Sequence, residues 1–112
     1  MSIDQAVERR LDELRKLGDK AAKAKKILVM AEEGKKSKLA VLMKKYAAKG
    51  FDSAVAQERE AYASDELQAI DLGIKEAMEE EARLQWLLIA AQIKCEAWRS
   101  MQANARMEAK VL

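Results

Sequence analysis

The acidic residues in the second half of the chain are the first candidates for chemistry. Glu76, Glu79 and Glu80 are close in sequence, and carboxylates at such spacing could hold a metal ion or act as an acid–base pair. The sequence contains no His, so the Glu-x-x-His pattern that completes a two-metal site in a helical bundle is missing. Arg83 follows Glu79 by four positions, which is the spacing of a surface ion pair on a helix. We therefore expect surface pairing here rather than a metal or catalytic site.

The single cysteine, Cys95, is the next candidate. Because the chain has no His, this thiol has no imidazole base, and one Cys forms neither an internal disulfide nor a cysteine-rich zinc site. Its place in an apolar repeat predicts a small core residue, and an unpaired thiol is typical of a reducing compartment. We expect no catalytic residue, cofactor, metal or small-molecule substrate, and we predict that the protein is not an enzyme.

A row of basic residues in the first half of the chain could contact the phosphates of a nucleic acid. Acidic residues such as Asp12, Asp19 and Glu33 lie beside the row, and no aromatic residue interleaves with it to stack on bases. The sequence pI of about 8.7 is also below the level typical of basic nucleic-acid-binding domains. Nucleic-acid contact is therefore the alternative to a solvated face with internal ion pairs. The row consists of Arg9, Lys16, Lys20, Lys23, Lys26 and Lys44.

Composition indicates which elements must position these side chains. Ala, Glu, Lys, Leu and Arg make up 67 of the 112 residues, about 60%, which is typical of long helices and coiled coils. The sequence contains no Pro, the main helix breaker, and no Thr, which favours strands. A chain of this length is enough for one domain. We therefore predict a single all-α domain over residues 1–112.

Capping signals define the first helix. Ser2 followed by Gln5 is a capping-box pattern, and apolar residues then recur with helical spacing, which predicts a long helix over about residues 3–48. Gly50 suits the left-handed position that follows a helix C-terminus. The chain is therefore expected to break after residue 48.

Two further helices follow the break. Ser53 can cap a short helix over about residues 54–62, and Ser64, followed by two acidic residues, can cap a last helix over about residues 65–108. Two long helices of similar length with a short connection predict a long antiparallel helical hairpin of coiled-coil type, with the short helix at the connection. Each long helix has an apolar seam at heptad spacing. The main seam residues are Val7, Leu14, Ala21, Leu28 and Leu42 in the first helix and Leu67, Ile74, Leu88 and Cys95 in the last.

Charge differs between the two halves and supports internal pairing. Residues 1–50 hold 14 Lys and Arg against 7 Asp and Glu, whereas residues 51–112 hold 7 against 12. A basic helix that pairs with an acidic one explains this difference.

The predicted pairing also sets a register. If the reversal is centred on residues 49–64, Lys35 lies near Glu80, and Lys35 and Glu81 interrupt the two apolar seams at the same level. We expect these two residues to form a polar layer that fixes the register of the helices.

Several apolar residues of the last helix lie at heptad positions that point away from the seam. A simple hairpin should be polar there, and a large contiguous apolar patch usually marks an interface. We expect this surface to assemble copies of the chain into a helical-bundle homo-oligomer or to form a groove for another protein, and the two roles can coexist. The residues of this predicted interface are Leu72, Trp86, Ile89, Ile93, Ala97 and Met101.

Three stretches of the sequence are distinctive: KSKLAVLMKK at 36–45, QEREAYAS at 57–64 and EAWRSMQANAR at 96–106. Together they resemble small uncharacterised helical proteins of tailed bacteriophages, often encoded near single-strand-annealing recombination and replication genes. The resemblance covers roughly residues 25–107 and brings no catalytic motif. It implies a phage protein that acts in the host cytoplasm, beside recombination machinery or against a host nuclease. The surface residues that carry the resemblance include Gln57, Arg59, Tyr62, Trp98, Arg99, Asn104 and Arg106.

Two further expectations complete the prediction. No apolar run approaches the ~20 residues that a membrane span requires, and no signal-peptide pattern opens the chain, so we expect a cytoplasmic protein with no membrane partner. The predicted function is that of an accessory protein that self-associates and binds another protein, either a recombination or replication partner or a host defence target. The alternative is a DNA-binding accessory protein that uses the basic row.

Overall fold

Three helices account for nearly all of the described residues. The computed structural model describes residues 2–111, which form α1 (Ile3–Ala48), α2 (Ala54–Ala63) and α3 (Asp65–Val111), with no strand in this range. The helices begin and end within three residues of the predicted positions. The predicted all-α helical hairpin with a short helix at the connection is confirmed. No helix in the described range is long and apolar enough to cross a membrane.

Contacts between residues divide the described chain into two compact units. Unit 1 consists of residues 2–23 and 82–111, and unit 2 consists of residues 24–81. Unit 1 therefore contains the first part of α1 and the last part of α3, whereas unit 2 contains the rest of both helices and all of α2. No capping or turn signal predicts this division, because α1 and α3 each continue without a break from one unit into the other.

Both ends of α1 have the predicted caps. The Ser2 N–H donates to Gln5 Oε1 at 3.1 Å and the Gln5 N–H donates to Ser2 Oγ at 3.2 Å, which is the reciprocal pair of a capping box. At the other end, the Phe51 N–H donates to the Tyr46 carbonyl at 3.2 Å, across Gly50 at a φ of +103°. This is the bonding of a Schellman motif, and its left-handed residue favours glycine.

The caps of α2 and α3 are also formed by the predicted serines. Ser53 Oγ accepts the Ala56 N–H at 3.1 Å, and Ser64 Oγ accepts the Leu67 N–H at 3.3 Å. Ser64 has extended backbone angles (φ −70°, ψ 145°), so it ends α2 and begins α3. Each cap satisfies an amide at a helix start that has no partner within the helix.

The core of unit 2 combines residues from all three helices. Leu42 of α1, Ala61 of α2 and Leu67 of α3 are fully buried against one another. The half-buried residues packed around them are Leu39, Met43, Tyr46 and Ile70. The short helix therefore contributes to the core instead of only bridging the long helices.

The remaining seam residues follow the heptad prediction. Ala21 and Leu84 are buried in unit 1, and Ala24 and Ile74 are buried in unit 2. Every main seam residue named in the sequence analysis is buried or half-buried. The two predicted seams are thus confirmed, including the half-buried position of Cys95.

The predicted register of the polar residues is wrong. Lys35 Nζ lies 2.6 Å from the carboxylate of Asp71, nine residues before Glu80, so it does not form the expected layer with Glu81. The reason is the position of the reversal: the chain turns back at residues 49–53, not across the whole of residues 49–64. Tyr62 at the end of α2 already contacts Lys35, so α2 runs back beside α1 and shifts the pairing of α3 by more than two turns.

We predict that Leu67→Ala lowers the free energy of unfolding by about 2–4 kcal/mol, because it removes a fully buried side chain at the junction of three helices. Urea denaturation followed by helical circular dichroism measures this change. The matched control is Val55→Ala on α2, whose side chain is 71% exposed and whose loss should change stability by less than about 0.5 kcal/mol. Equal effects of the two variants would contradict the described core.

Candidate functional site

The most distinctive surface of unit 1 is a stripe on α3 that faces away from its seam. Its members follow one another at alternating spacings of three and four residues, so they lie on one side of the helix. All of them are exposed, and the exposed fraction is 72% for Trp86 and 59% for Ile93. We call this surface the outer stripe. It consists of Arg83, Trp86, Ala90, Ile93, Ala97 and Ser100.

The seam side of the same part of α3 packs on α1. The Arg10 guanidinium lies 5.7 Å from the centre of the Trp98 ring, which is the geometry of a cation–π contact. A pocket of about 50 Å³ lies beside this contact, between Leu11 of α1 and Cys95 and Arg99 of α3. The two tryptophans therefore differ in burial: Trp98 is half-buried against Arg10, whereas Trp86 of the outer stripe is 72% exposed.

Three other residues of the predicted interface are exposed but lie outside the stripe. Ile89 borders it and is 41% exposed. Met101 follows Ser100 directly, so it is turned by about 100° around the helix. Leu72 is exposed on the part of α3 that belongs to unit 2. The predicted interface is thus exposed throughout, but only Trp86, Ile93 and Ala97 of it belong to the stripe.

Unit 2 contains an open groove around Lys35. The Lys35 ammonium donates a hydrogen bond to Asp71, which raises the pKa of this lysine above its usual value, and it lies 5.4 Å from the centre of the Tyr62 ring. The groove has a volume of about 500 Å³, with the apolar side chains of Ile74 and Met78 among those on its walls. A half-buried lysine held between a carboxylate and an aromatic ring links all three helices of the unit.

A second ionic contact joins α1 and α3 in unit 2. The Glu66 carboxylate lies 3.0 Å from Lys38 Nζ and 3.7 Å from Lys45 Nζ. The hydrogen bond from Lys38, with the positive charges of both lysines, holds the pKa of Glu66 below its usual value. Lys38 and Lys45 are seven residues apart on α1, so one carboxylate near the start of α3 connects two turns of its partner helix.

The residues that carry the family resemblance fall into two groups. In unit 2, Gln57 Nε2 donates to the Phe51 carbonyl at 2.8 Å, Tyr62 contacts Lys35, and Arg59 is exposed. In unit 1, Trp98 and Arg99 line the pocket beside Arg10, and Asn104 and Arg106 are exposed further along α3. The residues that carry the resemblance therefore belong to both units.

The basic row is exposed along α1 but does not form a uniformly positive surface. Four of its members belong to unit 1, and Lys26 and Lys44 belong to unit 2. A shallow recess contains Arg9 and Lys16 together with Glu8, Asp12 and Glu13. Acidic side chains in the same recess weaken its attraction for phosphate.

The three neighbouring carboxylates, which we predicted to pair at the surface, lie along α3. Glu76, Glu79 and Glu80 are exposed, and Glu80 and Arg83 each take part in an interaction. Within residues 2–111, no three acidic, His or Cys side chains are grouped so that they could hold a metal ion.

Sequence reasoning missed Asp71, Glu66 and Arg10 as contact residues. In the predicted register, the basic side chains of α1 lie opposite residues 79–81. That register does not pair Lys35 with Asp71 or Lys38 with Glu66. No signal in the sequence identifies them, because the burial of Ala61, which places α2 beside α1, is known only from the tertiary structure.

No protein-family model matches the chain, and neither a curated protein nor a solved structure matches it. The resemblance to phage proteins therefore stays a prediction from the sequence.

We predict that acid destabilises the wild-type protein more than the Glu66→Gln variant. Because its pKa is lowered in the folded state, ionised Glu66 stabilises the fold above the usual carboxyl pKa of about 4.3. This contribution is lost as the pH falls below that value. The thermal unfolding midpoint should therefore fall more steeply between neutral pH and about pH 3 for the wild type. Glu76→Gln, an exposed change on the same helix, should retain the wild-type pH profile, and identical profiles for all three proteins would contradict the role of Glu66.

Proposed function

We propose that this chain is a non-enzymatic accessory protein that self-associates through the outer stripe and binds a partner protein. One observation carries the proposal: Trp86 is 72% exposed beside Ala90 and Ile93 on one face of a regular helix. An exposed tryptophan in a contiguous apolar patch is typical of an interface anchor. Removal of apolar surface from water contributes roughly 25 cal/mol per Å², which favours association of such patches.

The surface around Trp98 and Arg99 supports binding of a second protein. Tryptophan and arginine are the residue types most enriched among those that dominate binding energy at interfaces. Arg99 is exposed at the pocket that Leu11 and Cys95 also line. A partner side chain can enter this pocket while the outer stripe on the other side of α3 is occupied by self-association.

The setting of the proposed function comes from the sequence resemblance. It supports a phage protein in the host cytoplasm whose partner is a recombination or replication protein or a host defence protein. The composition supports binding rather than catalysis, because the chain has no His and a single Cys. DNA binding through the basic row is the weaker candidate, because the acidic residues Glu8, Asp12 and Glu13 share its recess.

We predict that the wild-type protein self-associates at micromolar concentration and that Trp86→Ala raises the dissociation constant at least about tenfold, because it removes the largest apolar anchor of the stripe. Sedimentation velocity measures the assembly state, and circular dichroism checks that helix content is unchanged. Ile27→Ala, which truncates an apolar residue of α1 that is 60% exposed, is the control and should leave association unchanged. A wild-type protein that is monomeric at high-micromolar concentration would show that the proposed self-association is wrong.

We predict that Arg99→Ala lowers recovery of the partner protein about tenfold in affinity purification from infected host cells, because it removes a charged anchor beside the Trp98 pocket. Quantitative mass spectrometry of the co-purified proteins gives the measurement. Lys44→Ala, which removes an exposed positive charge from α1, is the control for a general effect of charge. If the same proteins are recovered in equal amounts with all three baits, partner binding does not use Arg99.

A further inference from the structure

The outer stripe alternates large and small side chains between two polar ends. Trp86, Ala90, Ile93 and Ala97 follow one another at spacings of four, three and four residues, and all four are exposed. This spacing is that of a heptad seam, and it lies on the side of α3 opposite the seam that packs on α1. The helix thus carries a second coiled-coil seam that its own chain leaves open.

We infer that the outer stripe packs antiparallel against the outer stripe of a second copy of the chain, about a two-fold axis midway between Ala90 and Ile93. This inference rests on the proposed self-association and defines its geometry. The axis places Trp86 at the level of Ala97 of the second copy, and Ala90 at the level of Ile93 of the second copy. Each apolar layer then holds one large and one small side chain, which is how close-packed layers fill space.

The polar ends of the stripe match in the same register. Arg83 lies at the level of Ser100 of the second copy, where a guanidinium N–H can donate to the hydroxyl. Symmetry repeats this pair at the other end of the interface. Arg83 also interacts within its own chain, and its five N–H donors allow both contacts. In this register, apolar side chains therefore lie opposite apolar ones, and polar side chains lie opposite polar ones.

Neighbouring registers lose this match. If the axis moves half a heptad towards the N-terminus, Arg83 lies at the level of Ile93 of the second copy and its charge is packed against an apolar side chain. If the axis moves half a heptad towards the C-terminus, Trp86 lies at the level of Asn104 of the second copy. Both shifts pack a polar side chain against a large apolar one, which is unfavourable.

A parallel arrangement is also less favourable. It places Trp86 opposite Trp86 of the second copy and Ala90 opposite Ala90, so crowded layers alternate with empty ones. Overpacking and cavities each destabilise a core. A second copy in the antiparallel register is therefore the occupant that fits the stripe.

Thiol crosslinking tests the direction and register. In a Cys95→Ala background, the Ala90→Cys thiols of two copies should lie about 4.5 Å apart along the helix axis, whereas Ala97→Cys thiols should lie about 16.5 Å apart. A crosslinker shorter than about 16.5 Å should therefore join Ala90→Cys chains into covalent dimers and leave Ala97→Cys chains without a covalent link. Circular dichroism checks that both exposed substitutions retain the fold.

The outcomes separate the inference from the proposed function. Equal crosslinking of both variants would indicate a parallel dimer and overturn the inference, while self-association would stand. No crosslinking of either variant, with a dimer in sedimentation velocity, would overturn the inference and assign the dimer to another surface. A monomer in sedimentation velocity would overturn both the inference and the proposed self-association.

A large-to-small exchange gives a second, independent test in the wild-type background. Trp86→Ala and Ala97→Trp should each weaken dimerisation at least tenfold, the first by a cavity and the second by a clash of two rings. The double variant restores one large and one small side chain in each layer, so it should recover most of the lost affinity. A double variant weaker than both single variants would overturn the pairing of Trp86 with Ala97.

Discussion

Two packed helices can bury only one stripe of each helix, and this geometric limit governs the rest of the structure. Half of the residues are hydrophobic, yet only seven hydrophobic residues are buried within residues 2–111. Because helical side chains are spread around the axis every 100°, any apolar residue outside the shared stripe stays in contact with water. Exposed apolar side chains such as Trp86 and Ile93 follow from this limit and are not defects of packing.

The two units meet the limit in different ways. In unit 2, α2 adds a third surface, so Leu42, Ala61 and Leu67 form a closed cluster, and Lys35 and Asp71 bond at its edge. Unit 1 has two helix segments and no third element, so α3 is covered on its seam side and open on the other. Both units nevertheless leave apolar side chains exposed, for example Trp86 and Ile93 in unit 1 and Ile27 and Leu72 in unit 2.

The ion pairs of unit 2 contribute more to the choice of helix register than to the stability of the fold. The ion pairs Lys35–Asp71 and Lys38–Glu66 are partly exposed, and contacts of this kind contribute little to stability. Opposite charges on facing helices nevertheless disfavour other registers, because a shift of the helices would bring charged groups opposite apolar or like-charged ones. Tyr62 reinforces the selection, since its ring lies against Lys35.

The sequence by itself determined the helices, their caps and their seams, because these depend on spacings of three or four residues and on local hydrogen bonds such as those of Ser2 and Gly50. It also determined which face of α3 is apolar and exposed. Only the tertiary structure decided the register: α2 folds back beside α1, so Lys35 meets Asp71 and not Glu80. Such pairing depends on where the chain reverses and on how a short helix packs, and local spacing does not encode either.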